Sequence, residues 1–379
     1  MESPRKELHQ LDDLGLRRSL RRIDDSRPPR VTSDGQELLN FSSNDYLGLS
    51  RHPALAEAAK EAIERYGTSS TASRLVCGSL DLYHQLEEKI ARSKKAEAAL
   101  TFANGYATAM GTIPAIVGKK DTIILDKLSH ACLIDAAKLS GATLRIFPHN
   151  ELGKLDKLLS SAKGRILVVT ESVFSMDGDQ CPLAEIVALK NKHHALLFLD
   201  EAHAVGVVGP NGQGLAEELS LQEDVDFQMG TLGKALGSAG GYLAASREWI
   251  DLFINKSRSF IYSTAPPPSQ AAASIAALKI LASEEGQLLR KKLSDHLAGF
   301  HTNSPIIPLI VGDNEDALTA SRSLLDQGFL VPAIRYPTVP RGTARLRITL
   351  SAAHSPEDLS RLRQTLSSLE TIPSFPKPR

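Results

Sequence analysis

The middle of the chain carries five short apolar runs, each separated from the next by a stretch with helical spacing. The runs are AALTF (98–102), TIILD (122–126), TLRIF (143–147), RILVVT (165–170) and ALLFLD (195–200). Two of the intervening stretches, 129–139 and 183–193, are typical of helices. Fully apolar strands that alternate with helices indicate a parallel sheet covered on both faces. The pattern therefore predicts an α/β protein whose large domain has a mostly parallel sheet.

The two ends of the chain follow other patterns. Leucines near helical spacing predict an amphipathic helix from the N-terminus to about Arg22. Three prolines, 266–268, open an alanine-rich stretch that predicts a helix running past Leu289. A smaller unit follows, with predicted strands at 306–311, 329–334 and 344–350, a helix at 315–327 capped by Gly328, and a last helix from about Pro356. We expect an N-terminal segment (1–50) packed with a small α+β domain (286–379), and a large domain (51–285).

Charge and cysteine content exclude some classes of function. Lysines plus arginines equal aspartates plus glutamates, at 44 each, which argues against a nucleic-acid binder. The basic cluster within 17–22 falls in the predicted N-terminal helix, where a solvated face is the simpler interpretation. Cys77, Cys132 and Cys181 are far apart and predict neither a disulfide nor a metal site. Because no signal peptide or membrane-spanning run is visible, we expect a soluble cytoplasmic protein.

The segment TLGKALGSAGG, residues 231–241, sets Lys234 between Gly233 and Gly237. A lysine becomes a nucleophile where its ammonium is desolvated or lies near other cations. A Walker phosphate loop is excluded, because the pattern GxxxxGK[ST] is absent from this segment. A surface lysine beside a turn stays open as the alternative.

A carboxylate and a histidine follow the last apolar run. In LLFLDEAHAVG, Asp200 ends the predicted strand and His203 lies just beyond it. Ligands of parallel sheets bind beyond the carboxyl ends of the strands. A carboxylate there can pair with a protonated pyridine nitrogen and so keep the ring an electron sink, while the histidine can reach a ring hydroxyl. The alternative for Asp200 is the N-cap of the next element.

Other polar positions also follow predicted strands. Gly105 and Tyr106, in ANGYATAM, open a helix whose free backbone N–H groups can cradle a phosphate. His130, in DKLSHAC, starts another helix and can lie flat against an aromatic cofactor; a polar surface position is the alternative. Ser175, in VFSMDGD, offers a hydroxyl to a ring substituent.

These motifs, in this order, resemble those of the fold-type I pyridoxal-phosphate enzymes, and among them the α-oxoamine synthases. The resemblance covers nearly the whole chain. It is strongest in FSSNDYLGL (41–49), 74–88, TESVFSMDGD (170–179), DEAH (200–203) and TLGK (231–234). It implies a fold-type I transferase, pyridoxal 5′-phosphate as cofactor and a homodimer with shared active sites.

The resemblance also implies a role for each matching residue. Lys234 would carry the cofactor as a Schiff base, and Asp200 would hold its pyridine nitrogen. His203 would contact the phenolic oxygen, and His130 would stack on the ring. The other implied cofactor contacts are Gly105, Tyr106, Ser175, Thr231 and Thr264, the last of which, with Ser263, would reach the partner's phosphate.

The family condenses an acyl thioester with a small amino acid and releases carbon dioxide, by a quinonoid mechanism. Two segments, 260–268 and 333–354, resemble the acyltransferases that join L-alanine to pimeloyl-CoA or pimeloyl-acyl-carrier protein in biotin biosynthesis. This likeness implies substrate contacts for Arg21, Asn44, His130, Arg335 and Thr338. Arg335 would bind the amino-acid carboxylate, since a planar guanidinium matches a carboxylate with two hydrogen bonds.

Two segments depart from the family pattern. Residues 68–73 read TSSTAS where relatives are often glycine-rich, and Gln213 stands where relatives commonly have arginine. Either change could alter the preference for acyl chain or carrier. The open alternatives are a sibling such as glycine C-acetyltransferase or 5-aminolevulinate synthase, and a non-catalytic ligand-sensing module. A Rossmann dehydrogenase is excluded because no GxGxxG follows an early strand.

Overall fold

The computed structural model describes residues 4–368. The helices are α1 (Pro4–Asp13), α2 (Pro53–Tyr66), α3 (Asp81–Ser93), α4 (Gly105–Ile116), α5 (Ala131–Ser140), α6 (Leu152–Ser160), α7 (Leu183–Lys192), α8 (Leu215–Glu218), α9 (Arg247–Lys256), α10 (Arg258–Ile261), α11 (Pro268–Leu281), α12 (Glu284–Gly299), α13 (Asn314–Asp326) and α14 (Pro356–Ser367). The strands are β1 (Asp25–Arg27), β2 (Arg30–Ser33), β3 (Gln36–Asn40), β4 (Ala98–Phe102), β5 (Thr122–Asp126), β6 (Thr143–Phe147), β7 (Ile166–Glu171), β8 (Leu196–Asp200), β9 (Phe227–Thr231), β10 (Gly241–Ala245), β11 (Ile306–Gly312), β12 (Phe329–Leu330), β13 (Ala333–Ile334) and β14 (Ala344–Thr349).

The chain divides into two compact units, and the larger comprises residues 49–175 and 179–291. Its seven-stranded sheet has the order β4-β10-β9-β8-β7-β5-β6. β10 is antiparallel to both of its neighbours, β4 and β9, and all other neighbouring strands of this sheet are parallel. The predicted α/β class and mostly parallel sheet are confirmed, and each of the five apolar runs forms a strand within one residue of its predicted bounds.

Both faces of this sheet are buried, which explains why its strands are continuous apolar runs. In β5, Ile123 and Leu125 belong to one hydrophobic cluster and Ile124 to another. The first cluster includes residues of α4, α5 and α9, and the second includes residues of α6 and α7. Successive side chains of a strand point to opposite faces, so a strand covered on both sides needs apolar residues at every position.

Among the described residues, the smaller unit comprises 4–48, 176–178 and 292–368. It contains a sheet of order β1-β2-β3-β12 and a sheet of order β11-β14-β13. The single strand predicted at 329–334 is wrong, because β12 and β13 join different sheets. Pro332, which has no backbone N–H to donate, lies between them. The domain limits at 50 and 285 stay a prediction.

The helices differ from expectation in two places. The N-terminal helix does not reach Arg22, because α1 ends at Asp13 and Gly15 then adopts a left-handed φ of 61°. The basic cluster within 17–22 is therefore not helical. The alanine-rich stretch forms two helices, because α11 ends at Leu281 and α12 begins at Glu284. Between Pro4 and Ser368, no helix is both long enough and apolar enough to cross a membrane.

Candidate active site

The carboxyl ends of three neighbouring strands of the larger unit border one cavity of about 180 Å³. The strands β7, β8 and β9 end there at Glu171, Asp200 and Thr231. Seven residues that the sequence predicts for the site line this cavity: Gly105, Tyr106, His130, Asp200, His203, Thr231 and Lys234. Four further residues complete the lining: Cys132, Glu171, Ala202 and Met229. The cavity lies where ligands of parallel sheets bind.

Lys234 lies in a tight turn after β9, and its amine is directed at a histidine. Its Nζ is 2.7 Å from Nε2 of His203. Gly237 closes the turn with a φ of 61°, and a Cβ there would come within 2.5 Å of the backbone of Leu49 and Ser50. Any other residue would therefore be strained and would clash. Because two nitrogens at this distance need a lone pair on one of them, the pair can hold and transfer a single proton.

Two buried carboxylates lie side by side at the sheet edge. Asp200 and Glu171 are register partners on β8 and β7 and are 5% and 2% exposed. Burial raises the pKa of Asp200, while the charge of Lys234 and a hydrogen bond from the Ala202 amide, 2.8 Å from Oδ1, oppose the rise. Burial and the charge of Asp200 hold the pKa of Glu171 well above its usual value.

Glu171 is a candidate that the sequence reasoning missed. It directly follows the predicted strand 165–170, just as Asp200 ends the run 195–200. The same signal, a carboxylate closing an apolar strand, was available for both. The Glu171 side chain accepts a hydrogen bond from the backbone N–H of His130 and so helps to fix the start of α5.

His130 is the N-cap of α5. Its Nδ1 accepts from the backbone N–H of Cys132 at 3.2 Å. Burial lowers the pKa of His130, with the charge of Asp200 opposing this effect. The ring is therefore held in its neutral form beside the cavity.

The start of α4 forms an anion-binding geometry. Asn104 caps the helix, and its Oδ1 accepts from the Ala107 amide at 2.8 Å. Gly105 and Tyr106 occupy the first turn, where backbone N–H groups and the helix dipole favour a negative group. The Tyr106 hydroxyl donates to Oδ2 of Asp135 at 2.6 Å.

Thr231 braces the turn that carries Lys234. Its hydroxyl donates to the Gly240 carbonyl at 2.9 Å and accepts from the Gly233 amide at 3.2 Å. These two hydrogen bonds connect both sides of the turn. Thr231 therefore helps to hold Lys234 against the cavity.

Two predicted cofactor contacts do not line the cavity. Ser175 is 7% exposed and lies in a hairpin that a bridge between Val173 and Gln180 closes. Thr264 is exposed and forms a bridge with Ser73. The cofactor contacts of Ser175 and Thr264 stay predictions.

The predicted substrate contacts other than His130 belong to the smaller unit. The Arg335 guanidinium donates to the carbonyls of Gly15 and, at 3.4 Å, Arg17. Nη2 of Arg18 donates to Oγ1 of Thr338 at 3.0 Å. The basic N-terminal segment therefore lies directly against the two residues predicted to bind substrate.

The remaining two residues of that set lie elsewhere in the smaller unit. Asn44 accepts from Arg347, whose Nη2 is 3.2 Å from Oδ1, and from the Tyr46 hydroxyl at the same distance. Arg347 is only 5% exposed, and no motif predicted its contact with Asn44. Arg21 is exposed. Substrate contacts for Asn44 and Arg21 stay predictions.

Comparison with known proteins gives the family of this chain. The model of the aminotransferase class I and II family matches residues 36–366. A curated 8-amino-7-oxononanoate synthase of Geobacter sulfurreducens is 50% identical over 369 residues, which are 94% of each chain. The chain belongs to the family of 8-amino-7-oxononanoate synthases. A second member, from Marinobacter nauticus, is 44% identical and extends over 97% of this chain and 96% of its own. The resemblance to α-oxoamine synthases is thereby confirmed.

Solved structures agree with this family. A serine palmitoyltransferase of Sphingomonas wittichii has a TM-score of 0.90 and 30% identity over 95% of this chain and 94% of its own. A serine palmitoyltransferase of S. paucimobilis, with the same TM-score and 29% identity over 95% of this chain and 94% of its own, holds a PLP–myriocin aldimine. An 8-amino-7-oxononanoate synthase of Francisella tularensis has a TM-score of 0.75 and 26% identity, over 86% of this chain and 96% of its own. The predicted fold-type I architecture is confirmed.

Proposed function

We propose that the chain is a pyridoxal-phosphate-dependent acyltransferase that condenses L-alanine with a pimeloyl thioester in biotin biosynthesis. The products are 8-amino-7-oxononanoate, carbon dioxide and the free carrier. The observation that carries the proposal is the pair of Lys234 and His203, whose nitrogens lie 2.7 Å apart in a cavity that Asp200 also lines. The name of relatives up to 50% identical supports the choice of substrates.

The residues around the cavity fit pyridoxal phosphate. Lys234 offers the primary amine, Asp200 a buried carboxylate for the pyridine nitrogen, and the start of α4 offers N–H groups for the phosphate. A Cβ on Gly105 would come 3.3 Å from Cε of Met229, so a side chain there would crowd the cavity wall. When bound, the cofactor supplies a cationic ring that accepts the electron pair left on the amino acid's Cα.

Lys234 is the group that moves the proton at Cα. With the cofactor and alanine bound, the amine of Lys234 would accept the Cα proton. His203, at 2.7 Å, can take part of that positive charge because its Nε2 shares a proton with Nζ. A base works best when its pKa lies near the working pH, and a partner that shares its proton tunes that value.

Asp200 controls the charge of the ring. A carboxylate next to the pyridine nitrogen keeps that nitrogen protonated, which the electron sink requires. The Ala202 amide and the charge of Lys234 favour the ionised form of Asp200 against its burial. His130, held neutral, offers the ring a flat face and no competing charge.

The condensation forms one carbon–carbon bond and breaks three bonds, which are Cα–H, the thioester C–S and the bond from Cα to the carboxylate. The Cα of alanine attacks the thioester carbonyl, the C–S bond breaks and the carrier leaves as a thiol. The carboxylate then leaves as carbon dioxide, and a proton takes its place at Cα. Arg335 would hold the alanine carboxylate, Thr338 would contact substrate beside it, and Arg21 would contact the acyl substrate. The carrier, coenzyme A or acyl-carrier protein, and the cytoplasmic location stay predictions.

A homodimer with shared active sites is part of the proposal. Leu75, Val76 and Tyr262 are 53%, 78% and 71% exposed. The bridge between Ser73 and Thr264 joins the two segments that carry them. Such exposed apolar side chains support an interface with a second copy. Thr264 would then contribute to the partner's phosphate site.

The test is a matrix of amino acids and acyl donors. Purified protein with pyridoxal phosphate is incubated with alanine, glycine or serine and with pimeloyl, acetyl or palmitoyl thioesters. The proposal predicts that alanine with a pimeloyl thioester has the highest kcat/KM and releases one carbon dioxide per thiol. If glycine with acetyl-CoA reacts best, the chain is a glycine C-acetyltransferase. If no pair reacts, the non-catalytic alternative gains support.

A further inference from the structure

A buried lysine contacts the residue that follows Asp200, without being part of the cavity lining. Lys94 directly follows α3 and is 0% exposed. Its ammonium contacts three acceptors: Oε2 of Glu201 at 2.5 Å, the Gln213 carbonyl and the Tyr242 side chain. An ammonium has three hydrogens to donate, so every one has an acceptor. Burial works to lower the pKa of Lys94, but the charge of Glu201 and the contact with Tyr242 raise it above its usual value.

The carboxylate that Lys94 contacts is next in sequence to the cofactor carboxylate. Glu201 is 0% exposed and follows Asp200 directly. Its other oxygen, Oε1, accepts from the Ala216 amide at 3.0 Å. Gly214 lies so close that a Cβ would come 2.4 Å from Oε1, and its φ is 113°. The loop before α8 therefore encloses Glu201 and keeps it from solvent.

Without a cation at this place, two buried carboxylates would be neighbours. The charge of Glu201 adds to the rise that burial causes in the pKa of Asp200. Two like charges in a site of low polarity favour protonation of one of them. A protonated Asp200 would lose the ion pair with the pyridine nitrogen, so a cation that offsets the charge of Glu201 matters to the cofactor.

We infer that Lys94 is a positioning residue for the cofactor site: it is the internal counter-ion of Glu201 and so keeps Asp200 in its charged form. This inference rests on the proposed role of Asp200. The Gln213 carbonyl also accepts from Lys94 and so helps to hold the ammonium at this carboxylate.

The test uses Lys94→Met, the double variant Lys94→Met/Gln213→Arg, and Lys95→Met as matched control, because Lys95 is the exposed neighbour. Two quantities are measured on the full chain: the Tm without cofactor, and the Kd for pyridoxal phosphate by absorbance titration well below every Tm. We expect Lys94→Met to lower the Tm by at least about 5 °C, since it leaves a buried charge unpaired. We also expect it to raise the Kd at least about tenfold, which is the effect of one pKa unit.

The double variant decides between a positioning role and a merely structural one. Position 213 directly precedes Gly214, where a Cβ would come 2.4 Å from Oε1 of Glu201. An arginine at 213 should therefore supply a cation near this carboxylate and recover most of the Tm and of the cofactor affinity. If Lys94→Met does not fold, the double variant must still fold and bind the cofactor. An unchanged Kd in Lys94→Met, or no recovery in the double variant, overturns the inference. A wild-type chain that binds no pyridoxal phosphate instead contradicts the proposed function.

Discussion

The amine nitrogen of Lys234 lies 2.7 Å from Nε2 of His203, although the two residues are 31 positions apart. His203 stands just beyond β8, and Lys234 stands in the turn after β9. Because β8 and β9 are adjacent and parallel, the segments that follow them meet at one edge of the sheet. The sheet thus joins a nucleophile to a group that can share its proton.

The charge of Asp200 can be removed with little change in shape. We expect Asp200→Asn to lower kcat at least about 100-fold, because the amide cannot keep the pyridine nitrogen protonated. The Kd for pyridoxal phosphate should rise far less than kcat falls. Steady-state kinetics and absorbance titration measure the two effects, with Asp251→Asn on the exposed face of α9 as control. Wild-type kcat in Asp200→Asn would refute its assigned role.

The contacts of His149 with two carboxylates predict that the stability of the protein depends on pH. Its Nδ1 is 3.0 Å from Oδ1 of Asp126, and its Nε2 is 2.6 Å from Oδ2 of Asp179. Burial lowers the pKa of His149, but the two hydrogen bonds and charges outweigh it and raise the pKa to about 10. A histidine whose pKa is raised in the folded state stabilises that state. This contribution is complete below the unfolded pKa of 6.5 and is lost as the pH rises through about 10.

The free energy of unfolding should therefore decrease between pH 6.5 and 10. Urea unfolding at several pH values measures this slope. In His149→Gln the slope should become shallower, while His9→Gln, at an exposed position of α1, should keep it. Equal slopes in wild type and His149→Gln would contradict the protonated state of His149.

Arg335 is predicted to bind the carboxylate of alanine. We expect Arg335→Met to raise the KM for alanine about 10- to 100-fold, since a charge-assisted pair is lost. The Kd for pyridoxal phosphate should not change. Arg322→Met, at an exposed position of α13, is the control. A selective rise in the KM for the thioester would assign Arg335 to the acyl substrate instead.

The parts of the fold that depend on local pattern were predictable. Buried strands such as β5 are apolar at every position, so their bounds follow from the sequence alone. The end of the N-terminal helix was not predictable in this way, because the leucine spacing continues past Gly15, where the backbone adopts a left-handed conformation. The strand predicted at 329–334 fails for a similar reason, since pairing with two different sheets is a tertiary property.

The site residues were predictable where they lie in a motif whose residue types indicate the chemistry. Lys234, Asp200 and His203 stand in short segments at strand ends, and all three line one cavity. Lys94 gave no such signal, because a pair of lysines after a helix is typical of a surface. Its complete burial depends on Glu201, which is 107 residues away in the chain.

The most direct test of the central claim is chemical trapping at Lys234. The protein is incubated with pyridoxal phosphate, reduced with borohydride and digested, and the modified peptide is sequenced by mass spectrometry. The account predicts one pyridoxyl adduct per chain, located on Lys234, and its loss in Lys234→Ala, which should stay folded but inactive. A Lys256→Ala control, on α9, should keep the adduct. An adduct on another lysine, or none on the wild-type chain, would contradict the account.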